Sequence, residues 1–405
     1  MHVEVINTGT ELLLGHVLNT HLRFLAEALF PLGLRIGRQV TVPDGLVIRE
    51  ALVEAAARAE ILLVTGGLGP TTDDITRDVV ADWLGLRLVH DEEIMRAITE
   101  RFARRGLALS ARIGLQALRP PEATVLPNEH GTAPGLYLPP TARSPHLFLL
   151  PGPPRELHPM FTASVLPILQ KVLPPRPELA MRNYRTAGLG ESAVEELVGA
   201  PLLALGLEVG YCARPGEVDL RLIGSAEALA RAEKIVGAQL GAQLVSRDQS
   251  SLEKVIVDRL SARGETLATA ESCTGGLLAH RVTNVPGASA VFLEGFVTYA
   301  NEAKTRALGV DAALLRAHGA VSREVAAAMA EGARTAAGVD HALATTGIAG
   351  PGGGSDAKPL GTVFIALATK LGPTTVEQHR FPTDRETFKD LTAQTALDLL
   401  RRRLG

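Results

Sequence analysis

The sequence predicts an α/β protein in three parts. These are a doubly wound N-terminal domain over residues 1–171, a small α+β unit of split βαβ order over 178–248, and an α/β C-terminal domain over 250–405. Three observations carry this expectation. A chain of 405 residues exceeds what one core usually holds and suits two or three domains. Hydrophobic residues make up 46% and aromatics only 4%, so the cores are aliphatic and alanine-rich, as where helices cover parallel sheets. Short apolar runs alternate with stretches of helical periodicity almost throughout.

In the first part, Val3–Asn7 reads as a strand, Asn19–Leu32 as a helix and Leu34–Val42 as a strand. Asp44 is placed to cap a helix reaching Ala59. Ile61–Thr65 is a buried parallel-strand run, followed by GGLGPTTDD and a helix to Leu84. Glu92–Arg104 and Ala111–Leu118 read as helices, Pro127–Pro140 as loop, and His146–Leu150 as a strand. Pro167–Pro177, with four prolines, reads as a linker. The middle part runs strand (Tyr184–Ala187), helix (Glu191–Leu205), two strands (Glu208–Ala213, Glu217–Ile223), helix (Ala226–Leu240), strand (Gln243–Ser246), which is the split βαβ order. In the last part, the helix Leu252–Arg263 leads to the strand Leu267–Ala270, a polar turn and a helix from Leu277. Strands follow at Val291–Ala300, His341–Thr346, Gly361–Thr369 and Val376–Phe381. Asn301 and Ser322 are expected to cap helices, and Arg385–Arg403 is expected to be amphipathic.

A net charge of −3 provides no basic field for nucleic acid or anionic membrane. Cys212 and Cys273 are the only cysteines, which suits a reducing, cytoplasmic setting. The opening MHVEVINTGTELL enters a strand without the basic and apolar regions of a signal peptide. No apolar run reaches membrane-spanning length.

The stretch ATAESCTGGLL (268–278) joins a strand to a helix through small polar residues. Such a turn aims a side chain and free backbone N–H groups at one point. Ser272 there has two readings. It is a helix cap, or a nucleophile whose oxyanion is held by the N–H groups of Thr274, Gly275 and Gly276. A serine nucleophile needs a base, and no histidine lies at these strand ends. Lys304, made less basic by partial burial, is the base that spacing offers, with Tyr299 as a hydroxyl to relay or orient. Only seven of the 41 basic residues are lysines, so each lysine near a site is informative. Thr346 ends a strand and enters the loop Gly347–Gly354, which either presents N–H groups to a phosphate or simply connects two strands. Arg385 is a phosphate ligand or a surface residue at a helix start. Cys273 is a rival nucleophile or a small core residue. Ligands in open α/β sheets bind where strands end and helices begin, so these segments are expected to converge.

ESCTGG, FVTYANEAK, HGAVS (318–322), TTGIAGPGGGSDAKPLGTV and PTDRETF together resemble, in order and spacing, the nicotinamide mononucleotide deamidase family. That domain forms the C-terminal part of CinA, the competence/damage-inducible family. The resemblance covers nearly all of Ser250–Gly405. It implies hydrolysis of nicotinamide mononucleotide to nicotinic acid mononucleotide and ammonia, without a cofactor. Ser272 would be the nucleophile, Lys304 its base, and Tyr299 an assistant. Thr346 and the Gly350 loop would hold the substrate, and Arg385 would meet its phosphate. The family has Gly-Asp-Arg where this chain has Thr383-Asp384-Arg385; the arginine is retained.

GTELLLGHVLNTH, TGGLGPTTDDITRD, NEHGTAPG and LPGPPREL resemble the N-terminal half of CinA, a relative of the molybdopterin-binding MoaB/MogA fold. Gly66, Gly67, Gly69 and Thr71 are placed to cradle phosphate at a helix start. Asp73 and Asp74 either compensate the helix dipole or hold a divalent metal. The resemblance implies a metal-dependent phosphoanhydride hydrolase acting on ADP-ribose, with Glu11 and Glu156 as possible contributors. The middle part resembles the KH-like module of the same family. Its first helix carries Glu191, Glu195 and Glu196 rather than a basic face, which suits a structural or dimer-forming role.

The resulting expectation is a bifunctional pyridine-nucleotide salvage enzyme, cytoplasmic and homodimeric, with no nucleic-acid or membrane partner. Its rivals are an N-domain that binds a molybdopterin-type pterin, or a competence-related adaptor. The acidic charge and sparse aromatics disfavour the adaptor.

Overall fold

The computed structural model describes residues 1–106, 108–174 and 179–405. The chain divides into two compact units, Met1–Glu178 and Leu179–Gly405.

The first unit is built on a six-stranded sheet in the order Ile36–Val42, Val3–Thr8, Ile61–Thr65, His146–Leu150, Gly135–Leu138, Thr124–Leu126. The first four strands are parallel; Gly135–Leu138 runs antiparallel to both of its neighbours, His146–Leu150 and Thr124–Leu126. Val3–Thr8 and Ile61–Thr65 are buried at every position because helices cover both faces, as parallel sheets require. Residues 127–140, expected as loop, include the strand Gly135–Leu138. It is buried throughout and pairs with His146–Leu150, which outweighs the turn-forming residues around it.

Several expected boundaries shift. The expected Asn19–Leu32 helix is an α-helix at His21–Leu29 and a 3-10 turn at Phe30–Leu32. Residues 111–117 form 3-10 rather than α-helical turns. Asp44 does not cap Val47–Ala56; its carboxylate takes the N–H of Thr10 at 2.9 Å. The expected linker is a helix over much of its length. Pro154–Met160 continues through a widened π turn, Phe161–Val165, into Leu166–Val172. That turn lies between Pro159 and Pro167, where the regular hydrogen-bond ladder loses donors. The rest of the expected linker, residues 175–177, lies outside the described residues.

The second unit contains two sheets. Glu208–Arg214, Glu217–Gly224, Ala180–Ala187 and Leu244–Ser246 form an antiparallel sheet, with Glu191–Leu203 and Ala226–Leu240 as its helices. The other sheet has the order Phe292–Val297, Leu267–Glu271, His341–Gly347, Thr362–Thr369, Thr375–Arg380, with the first three parallel. Alternation assigns its faces. Leu267 and Leu343 meet the helices Leu252–Arg263 and Arg385–Arg403, while Ala268, Ala270, Ala342 and Ala344 meet Arg323–Ala337.

Arg385–Arg403 is not amphipathic. Ten of its residues are buried, including Gln394, Asp398 and Arg401. Its second face is covered by the smaller sheet. Gln394 donates to Glu217 at 3.3 Å, and Arg401 donates to the carbonyls of Leu244 (3.2 Å) and Ala242. The polar residues that suggested a solvent face are partners for this seam.

Candidate active sites

The strand Leu267–Glu271 ends in a carboxylate with no exposure to solvent. Glu271 accepts hydrogen bonds from the N–H groups of Gly276 (2.9 Å), Leu278 (3.0 Å) and Ala279 (2.9 Å). It therefore satisfies the donors at the start of Leu277–Thr283. Gly275 and Gly276 make the required turn at φ 61° and 95°, in the left-handed region. Between the two reaches of this cap, Ser272 is pinned by its N–H, which donates to the Thr345 carbonyl at 2.9 Å. The capping role expected as one reading of Ser272 belongs to Glu271, and the serine hydroxyl is left for other work.

That hydroxyl lies 3.1 Å from Nζ of Lys304. Lys304 is 1% exposed, and Nζ also donates to the carbonyls of Thr298 (2.8 Å) and Tyr299 (3.2 Å). Among the described residues no carboxylate pairs with it, and burial pushes its pKa below the ordinary lysine value. Two carbonyls account for both N–H bonds of a neutral amine, which leaves its lone pair for the Ser272 proton. Lys304 is held there because Asn301–Leu308 begins directly after the strand end at Val297. Ala300, not the expected Asn301, occupies the N-cap of that helix. Ser322 does cap Arg323–Ala337, its hydroxyl taking the N–H of Val325 at 3.3 Å.

The three strand ends converge as expected, with differences in detail. Tyr299 meets Lys304 through its carbonyl, while its hydroxyl receives a hydrogen bond from Arg385 at 2.9 Å. Arg385 also donates to the Gly350 carbonyl at 2.8 Å, so one guanidinium joins the strand end, the glycine loop and the last helix. The N–H groups of Thr274 and Gly275 carry no hydrogen bond among the described residues, whereas that of Gly276 is spent on Glu271. Gly276 is thus a turn former and not an oxyanion donor. Thr346, expected to hold substrate, is fully buried and donates to the Ala320 carbonyl at 2.8 Å. Gly347 is required by packing, since a Cβ would stand 2.9 Å from the Thr362 carbonyl oxygen. Cys273 is a core residue at 5% exposure, and burial pushes its thiol up to about 12, which removes it as a nucleophile.

Sequence reasoning missed Glu271 and Thr345 as site residues. Thr345 supplies the carbonyl for Ser272 and a hydroxyl 2.7 Å from that of Thr274. Glu271 stood in the motif, and a carboxylate directly before a glycine-bearing helix start was a usable signal. Thr345 and Thr346 cannot be told apart without the strand register.

In the first unit, a cavity of about 520 Å³ opens at the ends of the central strands. Gly66 and Gly67 adopt φ 99° and 67°. The N–H groups of Gly67, Leu68 and Gly69 are without hydrogen bonds among the described residues, while Gly66 donates to the Leu150 carbonyl and Thr71 to Asp74. The helix starts at Thr76, so Asp73 and Asp74 precede it and do not sit in its first turn. Asp74 accepts both the N–H (3.0 Å) and the hydroxyl of Thr71. Both aspartates line the cavity with Glu11 and Glu156. No group of three or more His, Cys, Asp or Glu fit to hold a metal ion occurs among the described residues. Asn19, His21 and Gln116 also line it, and Asn19 Nδ2, His21 Nδ1 and Gln116 Oε1 are buried without partners. His21 Nε2 is 2.7 Å from the Gly152 carbonyl, and burial lowers the histidine's pKa. Nothing in the sequence marked Gln116, which reaches the cavity from the distant 111–117 turn.

Strand-end sites of this kind on a chain of successive α/β and α+β modules define a multidomain protein with enzyme-like centres. Comparison with known proteins makes the assignment narrower. A model described as the CinA C-terminal domain matches residues 249–404, one described as a probable molybdopterin binding domain matches 4–171, and one described as the damage-inducible protein CinA KH domain matches 181–244. A CinA-like protein of Akkermansia muciniphila is 48% identical over 398 residues, spanning 98% of this chain and 96% of its own. A putative competence-damage inducible protein of Moorella thermoacetica is 45% identical over 412 residues, covering 100% of this chain and 99% of its own. The solved competence/damage inducible protein CihA from Agrobacterium tumefaciens is 43% identical, covers 37% of this chain and 91% of that one, and has a TM-score of 0.36. The chain belongs to the CinA family. Among its described residues, no helix is long and apolar enough to cross a membrane.

Proposed function

We propose that the second unit hydrolyses the carboxamide of nicotinamide mononucleotide to nicotinic acid mononucleotide and ammonia, with Ser272 as nucleophile and Lys304 as base. The carrying observation is the 3.1 Å contact between Ser272 Oγ and a buried lysine that has no carboxylate partner. Neutral Lys304 takes the serine proton as Oγ bonds to the amide carbon. The carbonyl oxygen becomes an oxyanion facing the free N–H groups of Thr274 and Gly275. Collapse breaks the C–N bond, and the proton held on Lys304 leaves with the amine as ammonia. Water then attacks the acyl ester with Lys304 again as base, and the proton returns to Ser272 as the acid departs. Gly350 and Arg385 border the site, with the guanidinium toward the substrate phosphate. Replacing Ser272→Ala is expected to reduce ammonia release at least about a thousandfold, while ADP-ribose cleavage by the same protein is retained. Full deamidase rate in that variant would reject the mechanism.

The first unit is read as a phosphoanhydride hydrolase, with ADP-ribose the substrate that the family resemblance implies. Support comes from the unpaired N–H groups of Gly67, Leu68 and Gly69 beside a cavity with unpartnered buried polar atoms. Asp73 and Asp74 fit a magnesium-type ion, which takes one or two carboxylates and completes its shell with phosphate oxygens and water. When bound, the ion would neutralise charge developing on the phosphates. Chelation is expected to stop ADP-ribose cleavage and spare ammonia release. Screening pterins beside ADP-ribose separates this reading from a pterin-binding role. A cytoplasmic homodimer completes the proposal, and solution mass measurement tests the dimer.

A further inference from the structure

The last helix carries a second cation toward the Ser272 turn. Lys389 lies four residues after Arg385, and therefore on the same helix face. Its side chain is partly buried. A Cβ built on Gly275 would stand 4.0 Å from Lys389 Nζ, so the ammonium overlies the turn whose Thr274 and Gly275 N–H groups are unpaired. Among the described residues Lys389 makes no hydrogen bond or ion pair. Its neighbour differs. Arg385 has Nη1 committed to the Gly350 carbonyl and Nη2 to the Tyr299 hydroxyl. One cation is thus fixed as a cross-link, and one is held against the turn with all three N–H bonds available.

We infer that Lys389 is a substrate-positioning residue that binds the phosphate monoester of the ribose phosphate, with Arg385 acting as the rigid half of the pair. The inference rests on the deamidase reading for the identity of the substrate. A monoester carries between one and two negative charges at neutral pH. A guanidinium whose donors are partly committed leaves much of that charge unmet. A free ammonium one helical turn away supplies both the second charge and the movable donors. Lys304 cannot take this role, because it is spent on Ser272 and two carbonyls.

The test uses the full chain and ribose 5-phosphate as probe, with ribose as the uncharged control. Calorimetry is expected to show binding of ribose 5-phosphate weakened about tenfold or more by Lys389→Gln and largely restored by Lys389→Arg. With nicotinamide mononucleotide, KM should rise by a similar factor while kcat stays near the wild-type value. Unchanged ribose 5-phosphate affinity overturns the inference. So does a fall in kcat without a rise in KM, which assigns Lys389 to oxyanion stabilisation. If wild-type protein releases no ammonia but Lys389→Gln still loses the probe, the deamidase reading fails and the anion site stands.

Discussion

At the scale of the residue, Lys304 is buried without a carboxylate partner among the described residues, which favours the neutral amine that the proposed deamidase would use as its base. Its folded pKa is lowered by desolvation, and in the proposed mechanism the neutral amine is the working form. The deamidase rate is therefore expected to rise with pH through that lowered pKa, with unit slope in log kcat/KM, and then to level off. Stability follows with the same sign. Between the lowered value and the ordinary lysine value the unfolded chain binds more protons, so unfolding becomes harder as pH rises across that window. Lys304→Met should flatten both profiles, read by initial rates and by denaturant titration at several pH values. Cys273, one residue from Ser272, provides the contrast. Its thiol is buried and pushed up to about 12, so Cys273→Ala should keep the deamidase rate within a few-fold, and thiol reagents should inactivate the native protein slowly. The sequence named Ser272 and Lys304 correctly as neighbours because spacing after strand ends survives folding. It could not distinguish the carbonyl of Tyr299 from its hydroxyl, since that depends on how the strand end turns.

At the scale of the element, the strand–turn–helix from Leu267 to Thr283 is organised by Glu271. A carboxylate with three backbone donors is a charge-assisted cap, and replacing it leaves those donors unmet. Glu271→Gln puts an amide N–H₂ where an acceptor is needed. It is expected to cost about 2–4 kcal/mol of stability and to lower kcat more than it raises KM, because Ser272 and the free Thr274 and Gly275 donors move together. Thermal unfolding paired with steady-state kinetics checks both parts. Strand elements were legible wherever an apolar run was flanked by turn residues, as at Ile61–Thr65. The strand Gly135–Leu138 was not, because four residues carry little periodicity and its pairing partner lies across a loop. The helix Leu166–Val172 inside the expected Pro-rich linker was not legible because Pro167 stands at a helix start, where its missing N–H costs nothing, and the chain enters it through the widened turn Phe161–Val165.

At the scale of the molecule, the second unit is one body because its two sheets share the helix Arg385–Arg403. Arg401 holds Asp398 at 2.7 Å and the carbonyls of Leu244 and Ala242. Arg401→Ala leaves two carbonyls without this donor and Asp398 with Arg402 alone, at 3.1 Å, so it is expected to destabilise this unit by about 2 kcal/mol. The first unit should keep its melting transition, and differential scanning calorimetry resolves the two. The α/β class and the split βαβ order were readable from alternation alone. The seam was not, because buried Gln394, Asp398 and Arg401 look like a solvated face until the module that covers them is placed.

The shared helix also has a meaning in the order of synthesis. The serine turn, the lysine helix and the glycine loop all leave the ribosome before Arg385 and Lys389 do. Ser272 and Lys304 can come together on the growing chain, but one face of their sheet is covered only in part, by Leu252–Arg263 and Leu277–Thr283, until Phe388, Leu397 and Leu400 arrive. A nascent chain stalled before this helix exposes the remainder of that apolar face, and it is the intermediate that a chaperone would have most reason to hold.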